Sequence, residues 1–384
     1  MKSGGEGMKF LSNFKMDYKK LREIDKKMLF SIIFIAVFGI INIYLATKAN
    51  YGLSYIKKQS LFFILSLVVL YFVLAVDYSM IVGFTNLFYW GSVLLLIATL
   101  VLGTTVNGAQ GWIRFGPLSL QPAELAKVAT IMIMGKKMEE LDGNVNTIKN
   151  FFKVGIYAII PAALIVIQPD MGMTMVLFFM VLGVYFIGGL DKKVILGGLG
   201  SLLLAVVLLW NSGLIQDYQK TRITSFMNPD TDTSDSGYHL RQSLIGIGSG
   251  GFWGVRNSMA NDGTGGFASQ YVPEVETDFI FAQISEQWGT AGAIVLLTAY
   301  GILISRMLVI SKNSKDIFGK VVSAGMATYF LFAIMQNIGM TIGLMPITGI
   351  TLPLVSYGGS SLLTTIVSLG LVLNIGMRKK SLYF

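Results

Sequence analysis

The sequence predicts an all-α integral membrane protein with ten transmembrane helices, both termini in the cytoplasm, and a large structured extracellular loop between spans seven and eight. Three observations carry this. Of 384 residues, 53% are hydrophobic and 13% charged, whereas a soluble domain carries about a quarter charged residues to solvate its surface. The charge is also segregated, because long apolar runs alternate with short charged connectors, as a bilayer solvent demands. Finally, the basic residues are distributed unequally between alternate connectors.

Apolar runs of spanning length fall at 28–47, 59–76, 80–103, 122–138, 151–167, 170–188, 192–212, 283–305, 317–343 and 351–376. With the N-terminus inside, the cytoplasmic segments hold 21 of the 30 Lys/Arg, including Lys136, Lys137, Lys192, Lys193, Arg306 and the Arg378–Lys380 tail. The short outer loops hold only Lys48, Lys57, Lys58 and Arg114. The inverted topology reverses this bias, so the positive-inside rule selects the first.

The net charge of +9 does not point to nucleic acid. Residues 1–27 place eight Lys/Arg against four acids directly before the apolar run that starts at Met28. That pattern reads as a cytoplasmic anchor against anionic headgroups of the membrane lipids. The run is long and lacks a small-residue cleavage site, which argues against a signal peptide. Residues 28–380 form one polytopic domain. There is no Cys and a single His, His239, which excludes disulfides, thiolate chemistry and a multi-histidine metal site within the chain. No Walker motif is present, which disfavours ATP hydrolysis.

Two outer segments are more than connectors. One is 103–121, GTTVNGAQGWIRFGPLSLQ. The other is about 213–282, rich in Gly, Asp, Asn and Ser yet carrying Tyr238, Trp253, Phe267 and Tyr271. A loop of that length is functional or disordered, and its aromatic content argues for a folded cap. Within it, Leu240–Ile247 is expected to form a helix lying in or re-entering the interface.

Candidate chemistry gathers at the outer end. Val272–Phe281, VPEVETDFIF, brings Glu274, Glu276 and Asp278 to the mouth of span eight. Asp278, last before an aromatic run, is expected to be the most desolvated. Burial raises a carboxylate's pKa toward the range suited to a general base. Helix capping by Thr277 or Asp278 explains the same pattern. In QPAELAK, Pro122 suits a first helical position, and Glu124 and Lys127 at i,i+3 share a face. Ionisable groups at membrane depth face a partner or a watery cavity, so this pair is either functional or a packing device. Arg114, Lys220, Arg222, Arg241 and Arg256 are basic residues on the disfavoured side, suited to phosphate or to pairing with nearby Asp residues. Met345–Ser361, MPITGITLPLVSYGGSS, is broken by Pro and Gly at membrane depth, which is tolerated where backbone lines a cavity or is buried in protein. Gln336, Asn337 and Asn374 read as interhelical hydrogen bonders.

Taken together, the blocks NGAQGWIRFGPLSLQPAELAK, QPDMG, DYQKTRITSFMNPD, GYHLRQSLIGIGSGG, VPEVETDFIFAQISEQWG, NIGMTIGLMPITGITLPLVSYGGSS and NIGMRKK resemble the SEDS (shape, elongation, division and sporulation) glycosyltransferases, the RodA/FtsW family. GYH, QS and IGSGG look more like the RodA branch. The resemblance covers almost everything after the basic N-terminus. It implies a ten-span enzyme of the bacterial cytoplasmic membrane that polymerises lipid II outside the membrane in cell elongation and shape maintenance. Its implied partner is a class B penicillin-binding protein transpeptidase. It assigns the essential aspartate to Asp278, and Trp112, Glu124 and Lys127 to family positions. Arg114, Arg222, Arg241, Gln242, Glu274, Thr277 and Ser356, from the same blocks, complete the substrate-binding candidates. The chain departs from the family's usual pattern at Glu276, where His is common, and at Gly111, where Arg is common. Single inversion at an α-linked sugar diphosphate needs one base, while cations stabilise the leaving group. A divalent cation, Mg or Mn, shared with the carboxylates is compatible with that chemistry. A lipid II flippase, a division-type (FtsW-like) polymerase and a non-catalytic scaffold are the alternatives.

Overall fold

The computed structural model describes residues 22–106, 109–116, 118–211, 236–255 and 266–378. Ten of the described helices overlie the ten expected spans: α1 (Lys26–Tyr51), α2 (Ser54–Ala75), α3 (Tyr78–Leu102), α4 (Pro122–Glu139), α5 (Ile148–Ile167), α6 (Met171–Ile187), α7 (Lys192–Asn211), α10 (Ile280–Lys312), α11 (Ile317–Thr341) and α12 (Gly359–Gly376). Two further helices, α8 (Ser236–Ser249) and α9 (Phe267–Tyr271), lie between α7 and α10. Seven of the described helices are long and apolar enough to cross a membrane: α1, α2, α3, α5, α10, α11 and α12.

Helix starts are set by short polar side chains that accept the otherwise unpaired first-turn amides. Asp25 accepts from Met28 N (3.0 Å), Asp77 from Ser79 N (3.0 Å), Asp170 from Met173 N (2.9 Å) and Asp316 from Gly319 N (2.8 Å). Pro122 opens α4 at a position where a missing N–H costs nothing. Helices α11 and α4 are the most enclosed. Inside the bundle, polar side chains are paired to backbone of neighbouring helices: Asn374 donates to Val73 O (2.6 Å) and Gln168 to Leu96 O (3.0 Å).

Charge sorts the two ends of the bundle. At one end Arg306 bonds Asp25 at 2.6 Å, Arg378 approaches Asp77 at 3.8 Å, and Lys136 donates to Val82 O at 3.3 Å. Those contacts join the starts of α1 and α3 to the ends of α10, α12 and α4. The start of α4, the start of α6 and the end of α11 therefore lie at the opposite end, where the candidate chemistry sits.

The structure departs from the sequence-based expectation in two places, span eight and the start of the last helix. In the outer segment between α3 and α4, read from sequence as more than a connector, the described residues include three strands. They form a small antiparallel sheet of β1 (Thr104–Val106), β2 (Ala109–Phe115) and β3 (Leu118–Leu120), in the order β1-β2-β3, with Thr104 opposite Trp112 and Arg114 opposite Ser119. Span eight is interrupted. Gly289 has φ 64°, and a Cβ there would sit 2.4 Å from both Gly254 N and Phe252 O. Only glycine admits that backbone and that approach, and the loop before it docks into the break, Thr290 N donating to Gly251 O at 3.0 Å. The last helix starts at Gly359 rather than 351, because the segment from Ile342 to Gly358 runs as irregular backbone, buried over 352–356, whose carbonyls are held by side chains of α10 and α11.

The helix expected near Leu240–Ile247 is α8. Its Ser243 donates to Thr341 O (2.8 Å) and the His239 ring lies 5.9 Å from that of Phe279. It therefore packs on the start of α10 and the end of α11.

Candidate active site

The segment Glu274–Asp278 is a short strap leading into α10, built around one carbonyl. Glu274 has φ 52°, and its carbonyl accepts from the amides of Thr277 (3.2 Å), Asp278 (3.0 Å) and Phe279 (3.2 Å). A left-handed non-glycine residue is strained, and such strain persists only where its surroundings over-determine it. Here three successive carbonyls of the strap are clamped from outside. Tyr357 N donates to Glu276 O (2.8 Å), Ser356 Oγ to Thr277 O (2.5 Å), and Asn337 Nδ2 to Asp278 O (2.9 Å). Asn337 also donates to Ile350 O (2.7 Å), and Ser356 Oγ accepts from Leu352 N (2.8 Å). The irregular segment before α12 thus exists to hold the strap. Phe279, not Thr277 or Asp278, occupies the N-cap position of α10.

The strap forms one wall of a cavity of about 190 Å³. Trp112 of β2, Glu124 and Lys127 of α4, Asp170 at the start of α6, Tyr329 of α11, and Gly349 and Tyr357 of the irregular segment complete it. Asp278 lies against Gly349, whose φ of 73° favours glycine.

Lys127 Nζ bonds Glu124 Oε1 at 3.0 Å, both side chains being at most 5% exposed. It also bonds Tyr329 Oη at 3.2 Å and lies 4.4 Å from that ring's centroid. Among the described lining residues Lys127 is the only basic side chain, against Glu124, Asp170, Glu274 and Asp278.

The structure brings six of the sequence candidates, Trp112, Glu124, Lys127, Glu274, Thr277 and Asp278, to this one cavity. Others stand apart. Arg114 shares a strand face with Trp112 but lies nearer the Gly116 turn and is exposed. Arg241 is exposed and Gln242 half-buried on α8, and neither lines the cavity. Ser356 is buried and acts on the Thr277 carbonyl, so it positions the strap without facing the cavity. Lys220, Arg222 and Arg256 lie outside the described residues. Asp170, Tyr329 and Tyr357 line the cavity without having been singled out. Asp170 sits in the QPDMG block and Tyr357 in the Pro- and Gly-broken segment 345–361, whereas Tyr329 carries no local signal.

Glu276 and Asp278 are half-buried and Glu274 is exposed, so burial is shared by two of the three carboxylates rather than peaking at Asp278. Desolvation by burial pushes Glu276 above its ordinary 4.5, with Glu274 nearby adding to the rise and a hydrogen bond from Tyr55 opposing it. A raised carboxylate pKa means the folded chain holds the proton more tightly than the unfolded chain. The stability this supplies is complete below pH 4.5 and is lost as pH rises through the raised value. Glu276→Gln keeps the neutral form at all pH. Its apparent Tm is therefore expected to match wild type near about pH 4 and to exceed it at about pH 7.5. Thermal unfolding in detergent checks this, and parallel pH curves for the two proteins refute it.

Comparison with known proteins gives the family. Residues 24–381 match the family model described as cell cycle protein, FtsW, RodA and SpoVE. The chain is 30% identical over 381 residues, 96% of its length and 98% of the relative's, to the probable peptidoglycan glycosyltransferase FtsW of Geobacter metallireducens. It is 28% identical, over 95% of its length and all of the relative's, to the peptidoglycan glycosyltransferase RodA of Treponema pallidum. In structure it is similar to a chain of a peptidoglycan synthase complex, solved for the structural coordination of polymerization and crosslinking. The TM-score is 0.79 at 29% identity, covering 92% of this chain and 97% of that one. With a match across nearly its whole length, a strap-bounded cavity at one end of the bundle and apolar helices of spanning length, the chain belongs to the FtsW/RodA/SpoVE family of multi-pass bacterial membrane proteins.

Proposed function

We infer that the chain polymerises lipid II into glycan strands at the outer face of the cytoplasmic membrane, with Asp278 as general base. The observation that supports this most is the clamped strap: three consecutive backbone carbonyls are fixed so that the Asp278 carboxylate faces a cavity containing a buried lysine. Fixing a base to within fractions of an ångström is what general-base catalysis requires. In the reaction, an acceptor sugar hydroxyl forms a bond to the anomeric carbon of the donor. The carbon–oxygen bond to the diphosphate breaks, and the diphosphate leaves with the electron pair. The hydroxyl proton passes to Asp278. Lys127 stabilises the charge that grows on the diphosphate.

The cavity's four carboxylates against one cation leave that charge only partly met by described residues. A divalent cation, Mg or Mn, would be held by the cavity carboxylates and would supply positive charge to the leaving diphosphate.

Ten spans with both termini inside put the Arg306–Asp25 end in the cytoplasm and the cavity outside, where basic residues are fewer. A lipid II flippase needs a polar path across the whole membrane, whereas the described polar cavity sits at one end. The role read here is elongation, with a class B penicillin-binding protein crosslinking the product. The test is incubation of the purified chain and that partner with lipid II and Mg²⁺. Glycan strands on a gel are the expected result, and an intact complex that makes none overturns the reading.

A further inference from the structure

A second cavity, of about 380 Å³, lies on the other side of the strap. That volume falls within the range of about 300–1,000 Å³ typical of small-molecule sites. Asn50 and Tyr51 from the end of α1, Tyr238 from α8, Gln270 and Tyr271 from α9, and Glu276 surround it. The strap residue Glu274 lines both cavities. A chain of rings runs from one to the other: Tyr51, in the second cavity, lies 4.8 Å from Tyr55, which lies 4.6 Å from Tyr357 in the first.

The chemistry of the two linings differs. The first holds Lys127 beside Asp278. The second, among its described residues, has two carboxylates, two carboxamides and three tyrosines, and no Lys, Arg or His. Such a lining offers a diphosphate no cation among its described residues. A pyranose is matched by it, because its apolar ring faces stack on aromatic rings while its hydroxyls donate to carboxylates and exchange hydrogen bonds with carboxamides. Wide, flat tyrosine faces supply this contact with little loss of side-chain freedom.

We propose that the second cavity is a saccharide subsite that seats the uncharged acceptor sugar, delivering its hydroxyl across Glu274 to Asp278, while the first cavity takes the diphosphate of the donor. This rests on the polymerase reading above. The acceptor sugar then enters on one side of the strap and the leaving group departs on the other, and Glu274, which lines both cavities, stands between them.

Tyr51 and Tyr271 are exposed at the ends of their helices, so truncating them leaves the core intact. The experiment compares wild type, Asp278→Asn, the double variant Tyr51→Ala/Tyr271→Ala and its Tyr51→Phe/Tyr271→Phe counterpart, each as the full chain with its partner. The probe is a soluble β-1,4-linked N-acetylglucosamine tetramer, with no lipid or diphosphate, followed by saturation-transfer NMR. Binding is expected in wild type, in Asp278→Asn and in the Phe variant, and lost in the Ala variant. The KM for lipid II should rise about tenfold in the Ala variant with kcat held within about twofold, since stacking is lost and the base is untouched. Unchanged probe binding and KM in the Ala variant, with polymer still made, sinks the subsite and keeps the polymerase. Tyrosine-dependent probe binding by a wild type that makes no polymer keeps the saccharide site and sinks the polymerase reading.

Discussion

Replacing Asp278 by Asn is expected to lower the rate of glycan polymerisation by about 10²–10⁴-fold, the usual contribution of a positioned general base. The loss should appear in kcat, because the variant removes a proton acceptor without removing the groups that bind substrate. Its fold should survive. The strap is held through the backbone carbonyls of Glu276, Thr277 and Asp278, which the substitution does not touch. An apparent Tm equal to wild type is the control that separates lost chemistry from lost structure. Asp278→Glu retains a carboxylate but displaces it by about 1 Å, a misplacement that costs about 10²-fold where geometry governs the rate. The series Asp, Glu, Asn should therefore descend in that order. Equal polymer from all three removes Asp278 from the reaction and moves the base to Glu274, the other strap carboxylate in the same cavity.

The helices were legible because a bilayer imposes length and apolarity on a span, both local properties of the chain, and seven of the described helices meet that demand. The Glu124–Lys127 pair was legible for the same reason: i,i+3 spacing on a helix is a local fact, and its burial follows from the apolar run around it. The small sheet was not. Its strands are three to seven residues long and lie between Gly and Pro, too short for alternation to register. Glycine is common in membrane helices, so Gly289 alone does not announce a break. What makes it one is the loop at Phe252–Gly254, far away in sequence. The clamp is the clearest case. Asn337 and Ser356 lie 59 and 79 positions from the strap carbonyls they hold, and no window of sequence contains both partners. Seen from sequence, Asn337 is a hydrogen bonder without a named partner, and Ser356 passes for a ligand of substrate when its oxygen is spent on backbone. Tyr329 reads as one more aromatic in an apolar helix until the fold places it against Lys127.

Lys127 separates two roles that the geometry alone superimposes, packing device and electrostatic catalyst. Lys127→Met leaves the Glu124 carboxylate buried with its cation gone. Breaking a buried pair by removing one partner costs about 3–5 kcal/mol, enough to drain most folded protein from a marginally stable chain. Low recovery and a depressed apparent Tm are expected. Glu124→Gln is expected to be milder, since Lys127 keeps its bond to Tyr329 Oη and its position over that ring. The decisive protein is the double variant Glu124→Gln/Lys127→Met. It buries no charge at this site, and replacing a buried pair with neutral groups of similar volume is often neutral or stabilising, so folding should recover. Polymerisation should not recover. The cavity would then lack the only basic side chain among its described lining residues, and removing one preorganised donor from a growing anion costs about 10²–10³-fold in rate. A double variant that folds and polymerises at the wild-type rate would make the pair a packing device alone. The leaving diphosphate would then depend on a divalent ion or on the arginines of the outer loops. A folded double variant that is slow, with excess Mg²⁺ failing to restore it, assigns Lys127 to the transition state itself.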